Sequence, residues 1–222
     1  MYDQIINNLR TAYNQSAEQR NQGTKSAWKL ESRQAFLEQL QREDKTRLLE
    51  IGAGPGVDGK FFQDNGRTVT CTDLSPEMVR LCREKGLDAH VMDFINLDFP
   101  DAHFDAVYAL NCLLHVPKAD LPRALQAIQR VLKPGGLMYM AVYGGFEHEA
   151  VWQDDYHEPK RFFAFYTDEQ IQAVVGHYFD LEQFTAVANN TENGLHSQIL
   201  ILRRPSMQQT AVHLRNTGKY GS

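Results

Sequence analysis

This sequence predicts an α/β fold with a mostly parallel sheet, and three observations support that prediction. An apolar strand runs into a glycine-rich turn over residues 48–56. Each of the next two predicted strands ends in an acid, first Asp73 and then Asp93. Predicted strands and helices alternate along the 222 residues with no internal repeat, as they do where helices connect parallel strands.

The glycine-rich turn indicates a nucleotide-type ligand. Glycine adopts positive φ and lets a ligand approach the main chain, while the following helix directs its free N–H groups and positive dipole end at that ligand. Ordinary strand-to-helix connections share this pattern, so it is weak alone. Asp73 follows Gly52 by 21 residues, a spacing typical of a carboxylate that accepts hydrogen bonds from two ribose hydroxyls. Asp93 is placed to accept a hydrogen bond from an adenine amino group.

Periodicity and turn residues place the individual elements. We predict helices at about residues 3–19, 26–40, 57–64, 75–86, 121–132 and 167–178. We predict strands at about residues 48–51, 68–73, 88–93, 104–111, 137–143, 179–187 and 196–203. Ser75 and Pro76 suit the N-cap and first position of a helix, and residues 167–170 have the form of a capping box.

Five motifs together resemble one family. They are the loop 50–56, the acid Asp73, the pair Asp93-Phe94, the strand start 104–108 and the segment 132–137. Over about residues 30–205 this set resembles the class I S-adenosylmethionine-dependent methyltransferases, with a domain similar to methyltransferase types 11 and 12. The resemblance implies a Rossmann-like three-layer sandwich with a seven-stranded, mostly parallel sheet whose last strand is antiparallel. It also implies S-adenosyl-L-methionine as cofactor and S-adenosyl-L-homocysteine as product.

The length of the chain suits one domain of this kind. Residues 1–205 are expected to form a single methyltransferase domain, in which residues 1–43 are a helical cover and residues 144–166 are a lid or substrate insertion. Residues 206–222 are expected to form a C-terminal tail. Tyr13 and Trp28 of the cover are expected to close the donor site from one side.

The resemblance also implies a set of cofactor-binding residues. Gly52 and Gly54 are expected to line the methionine moiety, Asp73 to bind the ribose, and Asp93 and Phe94 to bracket the adenine. The alternative role for Asp73 is capping of the following helix, and for Asp93 that of a plain loop residue. The complete expected set is Glu50, Gly52, Ala53, Gly54, Asp73, Leu74, Met78, Met92, Asp93, Phe94 and Asn111.

Methyl transfer from a sulfonium is a direct displacement, so alignment of donor and acceptor is the main catalytic task. A general base is needed only when the acceptor is a protonated oxygen or nitrogen. The candidates for such a base are His115, Tyr143 and His157. The alternatives are a histidine with satisfied hydrogen bonds under the sheet edge for His115 and a solvated loop residue for His157.

The insertion at residues 144–166 follows the fifth strand at the sheet edge where ligands bind in open α/β folds. It is rich in aromatic residues, and this mixture of aromatic and polar side chains is typical of a small-molecule site or of a lid that packs on itself. The expected substrate residues are Trp152, Tyr156, Arg161 and Phe162. Arg161 could pair with the carboxylate of an acceptor. The alternative is an ion pair within the chain, with Asp154 or Asp155.

Composition limits the partners. A formal net charge of −5 disfavours nucleic acid as acceptor, so we expect a small-molecule acceptor of unspecified identity. Residues 1–20 lack a targeting composition and no apolar run is long enough to span a bilayer, which predicts a cytoplasmic protein with no membrane partner. The three cysteines have no paired spacing and the histidines no metal-ligand spacing, so we expect no catalytic metal. The protein is expected to be a monomer or homodimer.

Two other classes remain open. Residues 54–59 also satisfy the G-x-G-x-x-G fingerprint of an NAD(P)-dependent oxidoreductase. Its first glycine comes two residues late after the strand, and Pro55 lacks an N–H for the pyrophosphate, which disfavours that class. A non-catalytic protein that binds an adenosyl ligand is the second alternative.

Overall fold

The structure, a computed structural model, describes residues 2–188 and 194–206. The connection between the last two predicted strands and the tail expected at residues 206–222 therefore lie largely outside the described residues. Three helices open the chain: α1 (Tyr2–Gln15), α2 (Ala17–Asn21) and α3 (Ala27–Arg42). The first two were expected as a single helix. Ser16 separates them, with φ −97° and ψ 5°, and its hydroxyl donates to the Ala12 carbonyl at 3.0 Å.

A seven-stranded sheet follows. Its strands are β1 (Arg47–Ile51), β2 (Thr68–Asp73), β3 (Asp88–Val91), β4 (Phe104–Leu110), β5 (Leu132–Gly144), β8 (Asp180–Ala188) and β9 (His196–Arg203), with β6 (His148–Val151) and β7 (Phe162–Phe165) forming a separate pair. The strand order is β3-β2-β1-β4-β5-β9-β8, and β9 is antiparallel to both of its neighbours. The other neighbouring strands are parallel. The predicted fold class is thus confirmed.

The helices of the domain core are α4 (Val57–Asp64), α5 (Pro76–Glu84), α6 (Leu121–Val131) and α7 (Asp168–Gly176), with a single 3-10 turn at Leu113–His115. They cover both faces of the sheet, since neighbouring residues of one strand enter different cores. Leu49 packs in the cluster that contains Leu125 of α6, whereas Leu48 packs in the cluster that contains Phe36 of α3 and Phe62 of α4. Burial of each such side chain stabilises the fold by about 1.5–3 kcal/mol.

The predicted helix caps are present. The Ser75 hydroxyl accepts from the Met78 N–H at 3.2 Å, and Pro76 is the first residue of α5. Thr167 and Gln170 form both hydrogen bonds of a capping box at the start of α7. These caps fix the residues at which α5 and α7 begin.

The observed strands differ from the prediction in three places. β3 ends at Val91, so Asp93 lies in the loop two residues beyond it. β5 begins at Leu132, before the predicted turn, and its pairing with β4 shifts register between Phe104 and Ala106. The insertion contains the β6–β7 hairpin, which was not predicted. No helix in the described part of the chain is long and apolar enough to cross a membrane.

Candidate active site

The glycine-rich loop leaves β1 in a left-handed backbone conformation. Gly52 has φ +61° and Gly54 has φ +55°. A Cβ added at Gly52 would lie 2.3 Å from the Cβ of Cys112, so only glycine fits there. A Cβ added at Gly54 would meet no protein atom within 4 Å. The loop therefore packs tightly against the chain at Gly52 and faces open space at Gly54.

Asp73 connects this loop to the second strand. Its buried carboxylate accepts from the Gly54 N–H at 2.8 Å through Oδ2 and from the Ser75 N–H at 2.9 Å through Oδ1. Burial raises the pKa of Asp73, although these hydrogen bonds oppose the shift. The side chain that caps α5 is that of Ser75, so the contact of Asp73 with the Ser75 N–H lies just before the helix, and Asp73 also lines a cavity.

That cavity, the small cavity, has a volume of about 70 Å³ and lies beside the loop and the ends of β2 and β4. Most of the residues expected to bind the cofactor line it or the adjoining large cavity. Those in the wall of the small cavity are Gly52, Gly54, Asp73, Leu74, Met92, Asp93, Phe94 and Asn111. Asn111 directly follows β4 with φ +53°, and its buried Oδ1 has no hydrogen-bond partner among the described residues.

Helix α1 covers the small cavity. The Tyr2 hydroxyl donates to Asp93 Oδ1 at 2.7 Å, and Asn14 Oδ1 accepts from the Ser75 hydroxyl at 2.5 Å. Tyr2 and Tyr13 both form part of the cavity wall. The N-terminal helix is therefore hydrogen-bonded directly to Asp93, which the sequence assigned to the donor site, and to Ser75 at the start of α5.

A second, large cavity of about 700 Å³ adjoins the first. Expected site residues in its wall are Glu50, Gly52, Ala53, Gly54, Asn111, His115, Tyr143, Trp152, Tyr156 and Arg161. Seven residues line both cavities and define what we call the junction: Tyr13, Arg20, Gly52, Gly54, Leu110, Asn111 and His115. The junction is where a ligand in one cavity would meet a ligand in the other.

Arg161 is held by the chain itself. Its Nε and Nη2 each donate to the Asp155 carboxylate at 2.8 Å, and its Nη1 donates to the Tyr13 hydroxyl at 3.1 Å. Although burial acts in the opposite direction, the hydrogen bonds from Arg161 hold the pKa of Asp155 well below its usual range. Among the partners that the sequence offered for Arg161, the structure therefore shows an ion pair with Asp155.

His115 has both ring nitrogens engaged. Its Nδ1 lies 2.7 Å from the Phe162 carbonyl, which only accepts, so Nδ1 carries the proton. Its Nε2 then accepts from the Tyr13 hydroxyl at 2.6 Å. Burial lowers the pKa of His115 to about 3. A neutral histidine in this arrangement orients Tyr13, and it is a poor proton acceptor near pH 7.

The other two candidate bases are differently placed. His157 is buried outside both cavity walls, with Nδ1 3.3 Å from Asp155 Oδ1, and burial lowers its pKa. It is not the solvated loop residue that a surface insertion would suggest. Tyr143 lines the large cavity, and burial raises the pKa of its hydroxyl, which keeps the phenol protonated at neutral pH.

Besides His157, two expected site residues lie away from the cavities. Met78 packs in a cluster with Ala17 and Leu81, and Phe162 packs in the main core. Two residues that the sequence did not single out, Tyr2 and Arg20, lie in the walls. The described residues contain no group of three histidine, cysteine or acidic side chains placed to hold a metal ion.

Comparison with solved structures identifies the fold. The chain has the fold of a 1,6-didemethyltoxoflavin-N1-methyltransferase from Burkholderia thailandensis, a structure with bound 1,6-didemethyltoxoflavin and S-adenosylhomocysteine. The TM-score is 0.69 at 21% identity, over 89% of this chain and 88% of that one. The fold is therefore that of the Rossmann-like methyltransferases.

Sequence comparison finds similar methyltransferase domains. Residues 49–140 match the model of a methyltransferase domain. Ubiquinone biosynthesis O-methyltransferase from Xanthomonas oryzae pv. oryzae is 34% identical over 102 residues, which cover 43% of this chain and 42% of the relative. Malonyl-acyl-carrier protein O-methyltransferase from Serratia marcescens is 32% identical over 94 residues, 41% of this chain and 36% of the relative. The chain thus matches less than half the length of these curated relatives, and its similarity to them lies in the methyltransferase domain at residues 49–140.

Proposed function

We propose that this chain transfers the methyl group of S-adenosylmethionine to a small-molecule acceptor, with catalysis mainly through positioning. The observation that carries this proposal is the junction, where a small cavity beside the glycine loop meets a large cavity walled by the insertion. Two adjoining compartments suit a two-substrate transfer. The curated relatives that are named O-methyltransferases give the proposal further support.

The small cavity is the proposed adenosine site. Asp73 is assigned the ribose hydroxyls, because its carboxylate is already held in place by two backbone N–H groups and keeps lone pairs for further donors. Asp93 is assigned the adenine amino group, with Leu74, Met92 and Phe94 as apolar contacts. We leave Met78 out of the set because it does not face either cavity.

The glycine loop is the proposed site of the methionine moiety. Gly52, Ala53 and Gly54 line the large cavity, and the open space above Gly54 allows close approach to the backbone. Glu50 lies beneath the loop, where burial and the neighbouring Asp58 raise its pKa well above the usual range. When bound, S-adenosylmethionine supplies a methyl group activated by a positively charged sulfur.

The two covering segments are proposed to enclose the reaction. Residues 1–43 form the cover and residues 144–166 the lid, and the Tyr13–Arg161 hydrogen bond joins them over the junction. Trp152 and Tyr156 of the lid contribute aromatic surface to the large cavity, which fits a small molecule better than a nucleic acid. Enclosure excludes water and holds the acceptor in line with the donor.

Turnover tests this proposal directly. The purified chain is incubated with S-adenosylmethionine and a panel of small hydroxy, amino and carboxylic acid metabolites, and S-adenosylhomocysteine is quantified by mass spectrometry. We expect release above the acceptor-free rate with at least one acceptor, and release slower by about tenfold or more with Asp73→Ala at a donor concentration below saturation. Binding of S-adenosylhomocysteine without turnover on any acceptor would favour the non-catalytic binding protein, and binding of NAD instead would favour the oxidoreductase.

A further inference from the structure

The large cavity has an uneven balance of charge. Two of its buried acids are neutralised by the chain: Asp58 pairs with Lys25 and, at 2.8 Å, with Arg33, and Asp155 pairs with Arg161. Glu50, also in the wall, favours its neutral form because burial and Asp58 raise its pKa. These acids therefore leave little negative charge to balance other cations in the cavity.

Two such cations remain. Within residues 2–188 and 194–206, neither Arg20 nor Lys29 has an acidic partner. The Arg20 guanidinium lies 5.1 Å from the centre of the Tyr13 ring, and Lys29 is half-buried. Burial and the nearby cations Lys25 and Arg20 lower the pKa of Lys29, which shows how closely the positive charges are grouped. The remaining acid of the wall, Asp154, is exposed on the insertion.

The two cations have different places. Arg20 belongs to the junction, whereas Lys29 lines the large cavity alone. S-adenosylmethionine carries one carboxylate, which satisfies one of these cations. Arg20 is exposed and therefore accessible to a second anion, and the acceptor is the molecule that can bring it.

The junction also lacks a free proton acceptor among the described residues. His115 is neutral with both nitrogens engaged, and burial raises the pKa of Tyr13 and of the nearby Tyr143. Asn111 does not titrate. An acceptor that is already deprotonated near pH 7 suits this site, because it needs no general base.

We propose that the acceptor is a carboxylic acid, bound as its carboxylate by Arg20 at the junction and methylated on that carboxylate. This inference rests on the proposed function. One carboxylate oxygen forms a bond to the methyl carbon while the carbon–sulfur bond breaks, and the electron pair of that bond stays on sulfur. The products are a neutral methyl ester and neutral thioether sulfur, and no proton is released. Lys29 then forms the ion pair with the carboxylate of the donor.

Binding to the protein loaded with S-adenosylhomocysteine provides a test that does not depend on turnover. The probes are phenylacetate, 3-phenylpropionate and hexanoate, each paired with its amide and titrated by calorimetry. We expect at least one carboxylate to bind at least tenfold more tightly than its amide. Arg20→Met should remove that preference while changing the affinity for S-adenosylhomocysteine less than twofold. Arg42→Met, on an exposed residue of α3 outside both cavities, is the matched control.

The chemistry gives a second readout. With donor labelled in the methyl group, a carboxylate acceptor yields a labelled ester, which releases labelled methanol on mild alkali treatment. The rate of ester formation is expected to stay level from pH 6 to pH 9. The inference is overturned if S-adenosylhomocysteine binds normally but no carboxylate is preferred over its amide. It is also overturned if Arg20→Met weakens donor binding and leaves the carboxylate preference intact. Failure of S-adenosylhomocysteine itself to bind would instead overturn the proposed function.

Discussion

Asp73 and Gly54 are joined by a hydrogen bond of 2.8 Å from the glycine N–H to the aspartate carboxylate. Through this bond the end of β2 fixes the loop that follows β1. The same carboxylate accepts from Ser75 at the start of α5, so one side chain positions three segments around the small cavity. The acid proposed to bind the ribose thus also holds the loop proposed to bind the methionine moiety.

Asp73→Ala is expected to weaken binding of S-adenosylhomocysteine by tens of fold to about a hundredfold, because hydrogen bonds to a charged group contribute about 1.5–3 kcal/mol. Calorimetry of the folded variant measures this loss. Asp88→Ala, on an exposed acid of β3, is the control and should bind normally. If Asp73→Ala does not fold, Asp73→Asn is tested in its place, because asparagine keeps one acceptor oxygen. Unchanged donor affinity would remove Asp73 from the site.

Gly54 and Gly66 offer a matched pair of substitutions. Both have positive φ, +55° and +81°, and a Cβ at either would meet no protein atom within 4 Å. Alanine at either position should therefore cost similar stability, about 1 kcal/mol. Only Gly54 lines the cavities, so only Gly54→Ala should abolish donor binding in calorimetry. Equal donor affinity in the two variants would contradict the proposed placement of the methionine moiety.

Tyr13→Phe is expected to loosen the cover and the lid together. The change removes the hydroxyl that connects His115 to Arg161, and each unpaired buried group costs about 1–3 kcal/mol. Hydrogen exchange should become faster in α1 and in the β6–β7 hairpin. Tyr2→Phe breaks only the contact of α1 with Asp93 and should leave exchange in the hairpin unchanged. Identical exchange in the hairpin of Tyr13→Phe and the unchanged protein would show that Tyr13 does not connect these segments.

His115 is expected to make the protein less stable in mild acid. Its pKa is lowered to about 3 in the folded protein from an ordinary 6.5, so the unfolded chain binds a proton first as the pH falls through 6.5. The free energy of unfolding should fall by about 2 kcal/mol between pH 7 and pH 5 from this residue. His157, whose pKa is also lowered by burial, acts in the same direction.

Urea denaturation at several pH values measures this effect. His115→Gln removes the titrating group and should flatten the dependence between pH 6.5 and pH 5, without abolishing it. His177→Gln, on an exposed residue after α7, is the control and should keep the full dependence. A His115→Gln variant with the same dependence as the unchanged protein would contradict the buried neutral histidine.

Local sequence signals were sufficient for most of the sheet and its helices. β2 and α4 were predicted at the residues where they occur, because turn residues bound both segments closely. The cap at Ser75 was predicted from its own side chain and the proline after it. The β6–β7 hairpin was not predicted, since the four residues Phe162–Phe165 are all buried and show no alternation that distinguishes a strand from other apolar segments.

The site could be predicted only where it depends on strand ends. Asp73 and the glycines of the loop lie at the same edge of the sheet because the parallel topology brings the ends of β1 and β2 together. The spacing between Gly52 and Asp73 in the sequence is enough to predict this. The positions of Tyr2 and Arg20 depend on how α1 and α2 pack over that edge, and no local pattern encodes this. The choice of Asp155 over Asp154 as partner of Arg161 depends likewise on which carboxylate is buried.

Calorimetric titration with S-adenosylhomocysteine and, separately, with NAD tests the central claim most directly. The two cavities and the glycine loop predict binding of S-adenosylhomocysteine at one site per chain, with no heat from NAD under the same conditions. Binding of NAD, or the absence of heat with S-adenosylhomocysteine, would contradict the account.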